Sequence, residues 1–117
     1  MSNDKLVIRE GTVDKILNFR NERNWSQFHN PKDLAISISL ESAELLECFQ
    51  WSGSDTEVTN KLEEMKEELS DIFIYSILLA DRLKINLDEV IQAKIAKNAE
   101  KYPIEKSYGN SSKYTQI

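Results

Sequence analysis

Glycine and proline are scarce in this chain, with three and two among 117 residues. β-branched alternation is weak as well, which leaves little sign of the short strands and tight turns of an all-β fold. There is one cysteine, Cys48, so no internal disulfide can form. A reduced, cytoplasmic setting is expected, with Cys48 a buried, inert thiol on a helix. Residues 1–10 mix charged and apolar side chains without the pattern of a secretory signal. No apolar run approaches the ~20 residues that span a bilayer. The longest, Ile72 to Ala80, is interrupted by Tyr75 and Ser76 and reads as buried helix, so no membrane partner is expected. A basic excess is also missing: 15 Lys and Arg face 20 Asp and Glu, for a net charge of −5. That argues against a nucleic-acid partner. It leaves room for a phosphate-bearing small molecule, because a divalent cation inverts the local field.

What is present is helical periodicity. The length predicts one domain, residues 1–117, with a thin core that oligomerisation would help. Four helices are expected. The first runs from about Thr12 to Arg23, with Val13, Ile16, Leu17 and Phe19 on its apolar side. The second opens on Asn30 as N-cap, Pro31 and Asp33, and runs to about Trp51, before Gly53. The third spans about Glu57 to Leu83. The fourth begins at Asn86, with Glu89 as capping-box partner, and ends at Tyr102 before Pro103. The tail, residues 104–117, is polar and reads as mobile. Short connections between four helices predict an all-α, four-helix bundle-like fold. The second helix is apolar all round, so burial on every side is expected. The third is amphipathic at first and apolar all round from Ile72.

Certain carboxylates break this pattern. Glu41 and Glu44 lie three residues apart on the apolar second helix. At 100° per residue, Glu41 falls on the stripe that holds Leu34 and Ser37, between the projections of Leu45 and Cys48. On the third helix Glu64, Glu68, Asp71 and Tyr75 share a stripe, and Asp71 sits just before the apolar run. Residues at i and i+3 place their Cβ atoms ~5–6 Å apart. Two such pairs on packed helices gather four carboxylates. At an effective dielectric of ~20, two like charges ~5 Å apart repel by roughly 3 kcal/mol. Four cannot remain together without protons or cations. Oxygen-only ligands suit Mg²⁺, with Mn²⁺ an acceptable substitute, and Mg²⁺ readily accepts substrate phosphates. Glu57, Glu63 and Glu67 read as ordinary solvated helix surface.

The sequence Glu41-x-x-Glu44, then twenty-three residues, then Glu68-x-x-Asp71 resembles the metal-binding signature of the MazG-like all-α nucleotide pyrophosphohydrolases. Four further blocks resemble the single-domain dCTP pyrophosphatase branch of that family. They are Arg23 to Pro31 (RNWSQFHNP), Glu44 to Trp51 (ELLECFQW), Glu67 to Tyr75 (EELSDIFIY), and Lys94 to Pro103, with Asn98, Lys101 and Tyr102 inside it. The tail Ser111 to Thr115 is similar too. The likeness runs from about Arg20 to Thr115. One position departs: related tails often carry arginine just before the glycine, where this chain has Tyr108. The resemblance implies hydrolysis of a (deoxy)nucleoside triphosphate, dCTP prominent among them, to monophosphate and pyrophosphate. It also implies a helical homodimer or dimer of dimers, with sites between chains.

Glu41, Glu44, Glu68 and Asp71 are therefore expected to ligate the metal, and one left unbound would serve as general base. Lys94, Asn98 and Lys101 fall at i, i+4 and i+7 on one face. Unaided, the lysines read as solvated surface near a helix C-terminus. The resemblance assigns them, with Tyr102, to the substrate. It likewise tilts Trp25, His29, Trp51 and Tyr75 toward base and sugar contacts, through aromatic stacking. Phe28 reads equally well as core. Two rivals stand. A ferritin-like di-iron bundle needs Glu-x-x-His motifs, and the lone His29 lies outside every carboxylate pair. A non-enzymatic helical adaptor or antitoxin would use the glutamates as surface charge.

Overall fold

In a computed structural model, residues 2–116 are described. Met1 and Ile117, the two ends of the expected domain, lie outside the described residues. Those residues form helices and turns and no strand, as the all-α expectation requires. The chain divides into two compact units, Met1–Lys84 and Ile85–Ile117.

The first unit holds α1 (Glu10–Glu22), α2 (Pro31–Glu47) and α3 (Leu62–Leu83). α3 packs chiefly against α2 and also against α1. α2 starts where the sequence places it. The Asn30 side chain accepts a hydrogen bond from the Asp33 N–H at 2.9 Å and donates one to the Asp33 carboxylate at 2.7 Å. Pro31, lacking an N–H, fills the first helical position at no cost.

α2 stops earlier than its apolar pattern suggests. From Cys48 the backbone tightens into three-residue turns, with N–H groups of Cys48, Phe49 and Gln50 donating to Leu45, Leu46 and Glu47 carbonyls. Trp51 (φ 67°) and Gly53 (φ 62°) then reverse the chain in left-handed conformations. The start of α3 also departs from expectation. The Asp55 carboxylate accepts hydrogen bonds from the N–H groups of Glu57 and Val58, both at 3.1 Å. Val58 is held at φ 45°, which a β-branched residue rarely adopts. Its burial and those bonds offset the strain, and a 3-10 turn, Thr59–Lys61, leads into α3. Lys84 (φ 56°) closes α3, its N–H meeting the Ala80 and Asp81 carbonyls.

The core of this unit is small: Leu34, Cys48, Val58, Ile77, Leu78 and Ala80. Cys48 is buried, as expected. The all-round burial expected of α2 is not found within this chain. Only Leu34, 1% exposed, is fully buried on it, whereas Leu40 is 60% and Leu46 70% exposed. Nor is α3 buried all round beyond Ile72, since Phe73 is 49% exposed. An apolar side chain counts as core only where another element covers it, and α3 and α1 cover one side of α2.

The second unit holds α4 (Leu87–Lys101) and a single further turn, α5 (Ile104–Ser107). Asn86 caps α4 by accepting from the Glu89 N–H at 3.1 Å. The tail, expected to be polar and, alone, mobile, makes α5, a left-handed Gly109 (φ 69°) and a 3-10 turn over Tyr114–Gln116. Tyr114 meets Tyr102 edge-on at 6.0 Å, with the Lys101 ammonium 5.1 Å from the Tyr114 ring. These contacts are aromatic, so the polar composition of the tail did not reveal them.

Leu34→Ala is expected to lower the unfolding free energy by about 2–5 kcal/mol. Asn30→Ala, which removes only a cap, is expected to cost about 1 kcal/mol. Urea denaturation followed by circular dichroism checks both, and equal losses would contradict this ranking.

Candidate active site

The α2–α3 hairpin determines which carboxylates meet. Glu44 and Glu68 lie equally far on either side of Thr56 in the connecting loop, and so do Glu41 and Asp71. Two antiparallel helices joined there bring these positions level. Carboxylate oxygens of Glu41, Glu44 and Glu68 lie within 4.8 Å of one another. Asp71, one turn further along α3, sits outside that mutual set. It is close enough for its charge to act on Glu41.

Electrostatics record the crowding. Glu68 is pushed up to about 7, first because a proton on it would be shared with Glu44, then by desolvation and by Glu41. Glu41 is also raised, first by desolvation, then by a proton shared with Glu44 and by the charges of Glu44 and Asp71. Tyr75 is raised by burial, then by the charges of Glu41, Asp71 and Glu44. Glu41 and Glu68 are each half-buried. One oxygen of each, Oε2, is nevertheless shut off from solvent without a hydrogen-bond partner.

A buried acceptor without a donor is costly. Two of them in a group of three carboxylates, with only oxygen donors present, fit a hard divalent cation. Glu41, Glu44 and Glu68 could hold it, with Asp71 adjacent.

Beside the cluster is a cavity of about 340 Å³. α3 contributes Asp71, Ile74, Tyr75 and Leu78 to its wall. Trp25 and His29, from the segment between α1 and α2, line it as well. The Trp25 ring meets Phe19 edge-on at 5.7 Å and His29 at 6.5 Å. Arg23 braces this group from outside, its guanidinium 3.6 Å from the Phe19 ring centroid and its Nη1 donating to the Phe19 carbonyl at 3.0 Å. His29 is held below its ordinary value, first by burial and then by the Arg20 cation, so it is neutral at pH 7.

Of the expected aromatic residues, the fold thus gathers Trp25, His29 and Tyr75. It does not bring Trp51 to them: Trp51 lies in the turn after α2, 92% exposed in the chain. Phe28 is exposed too, and so is not core. Lys94, Asn98 and Lys101 lie on α4 and Tyr102 at its end, all exposed, in the second unit. Six cavity residues were not anticipated: Lys15, Ile16, Phe19 and Arg20 on α1, and Ile74 and Leu78 on α3. Ile16 and Phe19 were visible as an apolar face. For Arg20 the decisive partner is Asp81, 61 positions away, and no local pattern points to it.

The profile of the MazG-like family matches residues 36–117. The chain belongs to that family. Among its MazG-like relatives is dCTP pyrophosphatase 1 of Mus musculus, 38% identical over 105 residues, covering 85% of this chain and 61% of the mouse protein. The Homo sapiens protein of the same name is 35% identical over 104 residues, with the same coverage. This chain thus spans about 61% of the length of those relatives. A crystal structure of a pyrophosphatase from Archaeoglobus fulgidus DSM 4304 superposes with a TM-score of 0.74 at 45% identity, over 80% of this chain and 91% of that one.

The Glu68 shift carries a pH signature. A carboxyl raised in the folded state contributes stability below its unfolded value, near 4.5, and loses it as pH rises through about 7. In chelator, Glu68→Gln is therefore expected to match the wild type in Tm near pH 4.5 and to exceed it progressively toward pH 8. A Tm difference that does not change with pH would contradict the crowding.

Proposed function

We propose that this chain is a Mg²⁺-dependent pyrophosphohydrolase that converts a nucleoside triphosphate, dCTP foremost, to the monophosphate and pyrophosphate. The observation that carries this reading is the set of three glutamates within 4.8 Å of one another, two of them with unpartnered buried oxygens, opening beside an aromatic cavity. The names of the dCTP pyrophosphatases and of the archaeal pyrophosphatase point the same way.

Glu41, Glu44 and Glu68 would hold the divalent cation, with Asp71 as a further ligand. The cation, when bound, would draw charge from the phosphoryl oxygens and bring water into line for attack. Water adds to phosphorus as the phosphoanhydride bond breaks and pyrophosphate leaves. A carboxylate not engaged in ligation takes the proton from the water. Trp25, His29 and Tyr75 receive base and sugar. His29 is neutral, so it offers a flat ring without adding positive charge there. Trp51, Lys94, Asn98, Lys101 and Tyr102 do not line this cavity, and their proposed role is to reach the nucleotide from a second copy of the chain.

Self-association belongs to this proposal. Leu62, Leu69 and Phe73 form an exposed stripe at i, i+7 and i+11 on α3, and Leu40 and Leu46 are open on α2. A second copy covering them would complete the helical bundle and bring its own residues to the site. A cytoplasmic location is part of the proposal, and a free, buried thiol at Cys48 suits a reducing compartment. The acidic balance gives no footing for nucleic acid, and no helix among the described residues is long and apolar enough to cross a membrane.

Product analysis with each dNTP and NTP, with and without Mg²⁺, tests the reaction. The expected products are monophosphate and pyrophosphate, formed only with metal. Orthophosphate would overturn the assignment. Glu44→Ala and Glu68→Ala are each expected to abolish turnover and, by calorimetry, Mg²⁺ binding. Near-normal activity in either would remove the carboxylates from the mechanism.

A further inference from the structure

The cavity has a direction. Asp71, Tyr75 and Leu78 line it on α3, and Asp81 lies on the same helix roughly 15 Å beyond Asp71. At that far end stands Arg20, which lines the cavity wall. Its side chain is only 13% exposed. Its Nη1 donates to the Asp81 carboxylate at 2.7 Å, and its Nε donates to the Asn21 side-chain oxygen at 3.0 Å.

A guanidinium carries five N–H donors in a fixed plane. Asp81 and Asn21 take one each, through Nη1 and Nε, and among the described residues Nη2 donates to neither. Nη2 is not shut off from solvent, so its donors are open to an acceptor brought by a ligand in the cavity. A ligand anchored by phosphates at the Asp71 end would carry its base toward Arg20.

We propose that Arg20, oriented by Asp81, is the specificity-determining residue of this cavity, selecting a nucleobase edge with two adjacent acceptors. Cytosine presents such an edge with O2 and N3, and guanine with O6 and N7. Thymine and uracil break it with the N3–H donor, and adenine with its amino group. A planar fork of donors recognises paired acceptors and leaves a donor facing a donor when the base is wrong. Asp81 is a positioning residue: it fixes the plane of the fork and never meets the base. The inference deepens the proposed hydrolysis and rests on it.

The test is kcat/KM for dCTP, dTTP, dGTP and dATP with the full chain and Mg²⁺. The wild type is expected to favour dCTP over dTTP, or dGTP over dATP, and the leading pair names the base. Arg20→Ala is expected to shrink that ratio by about 10- to 100-fold, through KM, with kcat on the favoured nucleotide kept within a few-fold. Arg20→Gln offers one donor and one acceptor, so dTTP should gain on dCTP, or dATP on dGTP. Asp81→Asn is expected to shrink the ratio by less. If Arg20→Ala does not fold, Arg20→Gln and Asp81→Asn decide the matter.

A structural role would lower all four nucleotides alike, and that result would overturn the proposal. So would an active wild type that favours dTTP or dATP, or whose ratio survives the substitutions. A wild type that hydrolyses none of the four overturns the parent reading, and this one with it.

Discussion

Glu41, Glu44 and Glu68 repel one another, and much of the first unit can be understood as what holds them together despite that. The force comes from elsewhere on the same two helices. Leu34 on α2 and Ile77, Leu78 and Ala80 on α3 are buried, and the helices cannot separate their carboxylates without exposing that surface. The loop between them is fixed as firmly. Asp55 binds two successive backbone N–H groups and holds Val58 in a conformation it would not choose alone. The hairpin therefore keeps its register, and the register places Glu44 opposite Glu68. What remains of the repulsion appears as a proton bound to Glu68 up to about pH 7, and as carboxylate oxygens facing no donor.

α3 also gives the site its polarity. Its first half is charged and its second half apolar, and the cavity follows the helix across that change, from Asp71 past Tyr75 to Leu78. One end suits a cation with phosphates, the other a flat, weakly polar ring. Unpaired, the Arg20 cation would spoil the apolar end. It does not, because Asp81 balances its charge at 2.7 Å, and because burial and the Arg20 cation together keep His29 neutral.

The carboxylates were legible in the sequence because they broke the rule around them. Glu41 on an apolar stripe and Asp71 before an apolar run are conflicts that solvation does not explain. The N-caps at Asn30 and Asn86 were legible because capping is local chemistry, settled within three residues. The ends of α2 and the start of α3 were not. They depend on left-handed Trp51 and Val58, neither a residue that predicts such a conformation, and on bonds from Asp55 that compete with helix formation. The Arg20–Asp81 pair was hidden for another reason. An ion pair between distant positions leaves no periodicity, and each member alone reads as helix surface.

The apolar faces of α2 and the carboxylates of α2 cannot be treated separately. Leu40 and Leu46, open in the chain, flank Glu41 and Glu44 on the same helix. Whatever covers them limits how far that helix can bend or turn, and so limits how far the glutamates can relax apart. In the proposed assembly the cover is a second copy of the chain. Association then raises the cost of leaving the carboxylates without a counter-ion, and a cation relieves that cost. Linkage is reciprocal: if association tightens the metal site, the metal must strengthen association by the same factor. An apolar helix with glutamates set into it is thus a consistent design, in which packing supplies the rigidity that a site of like charges cannot supply for itself.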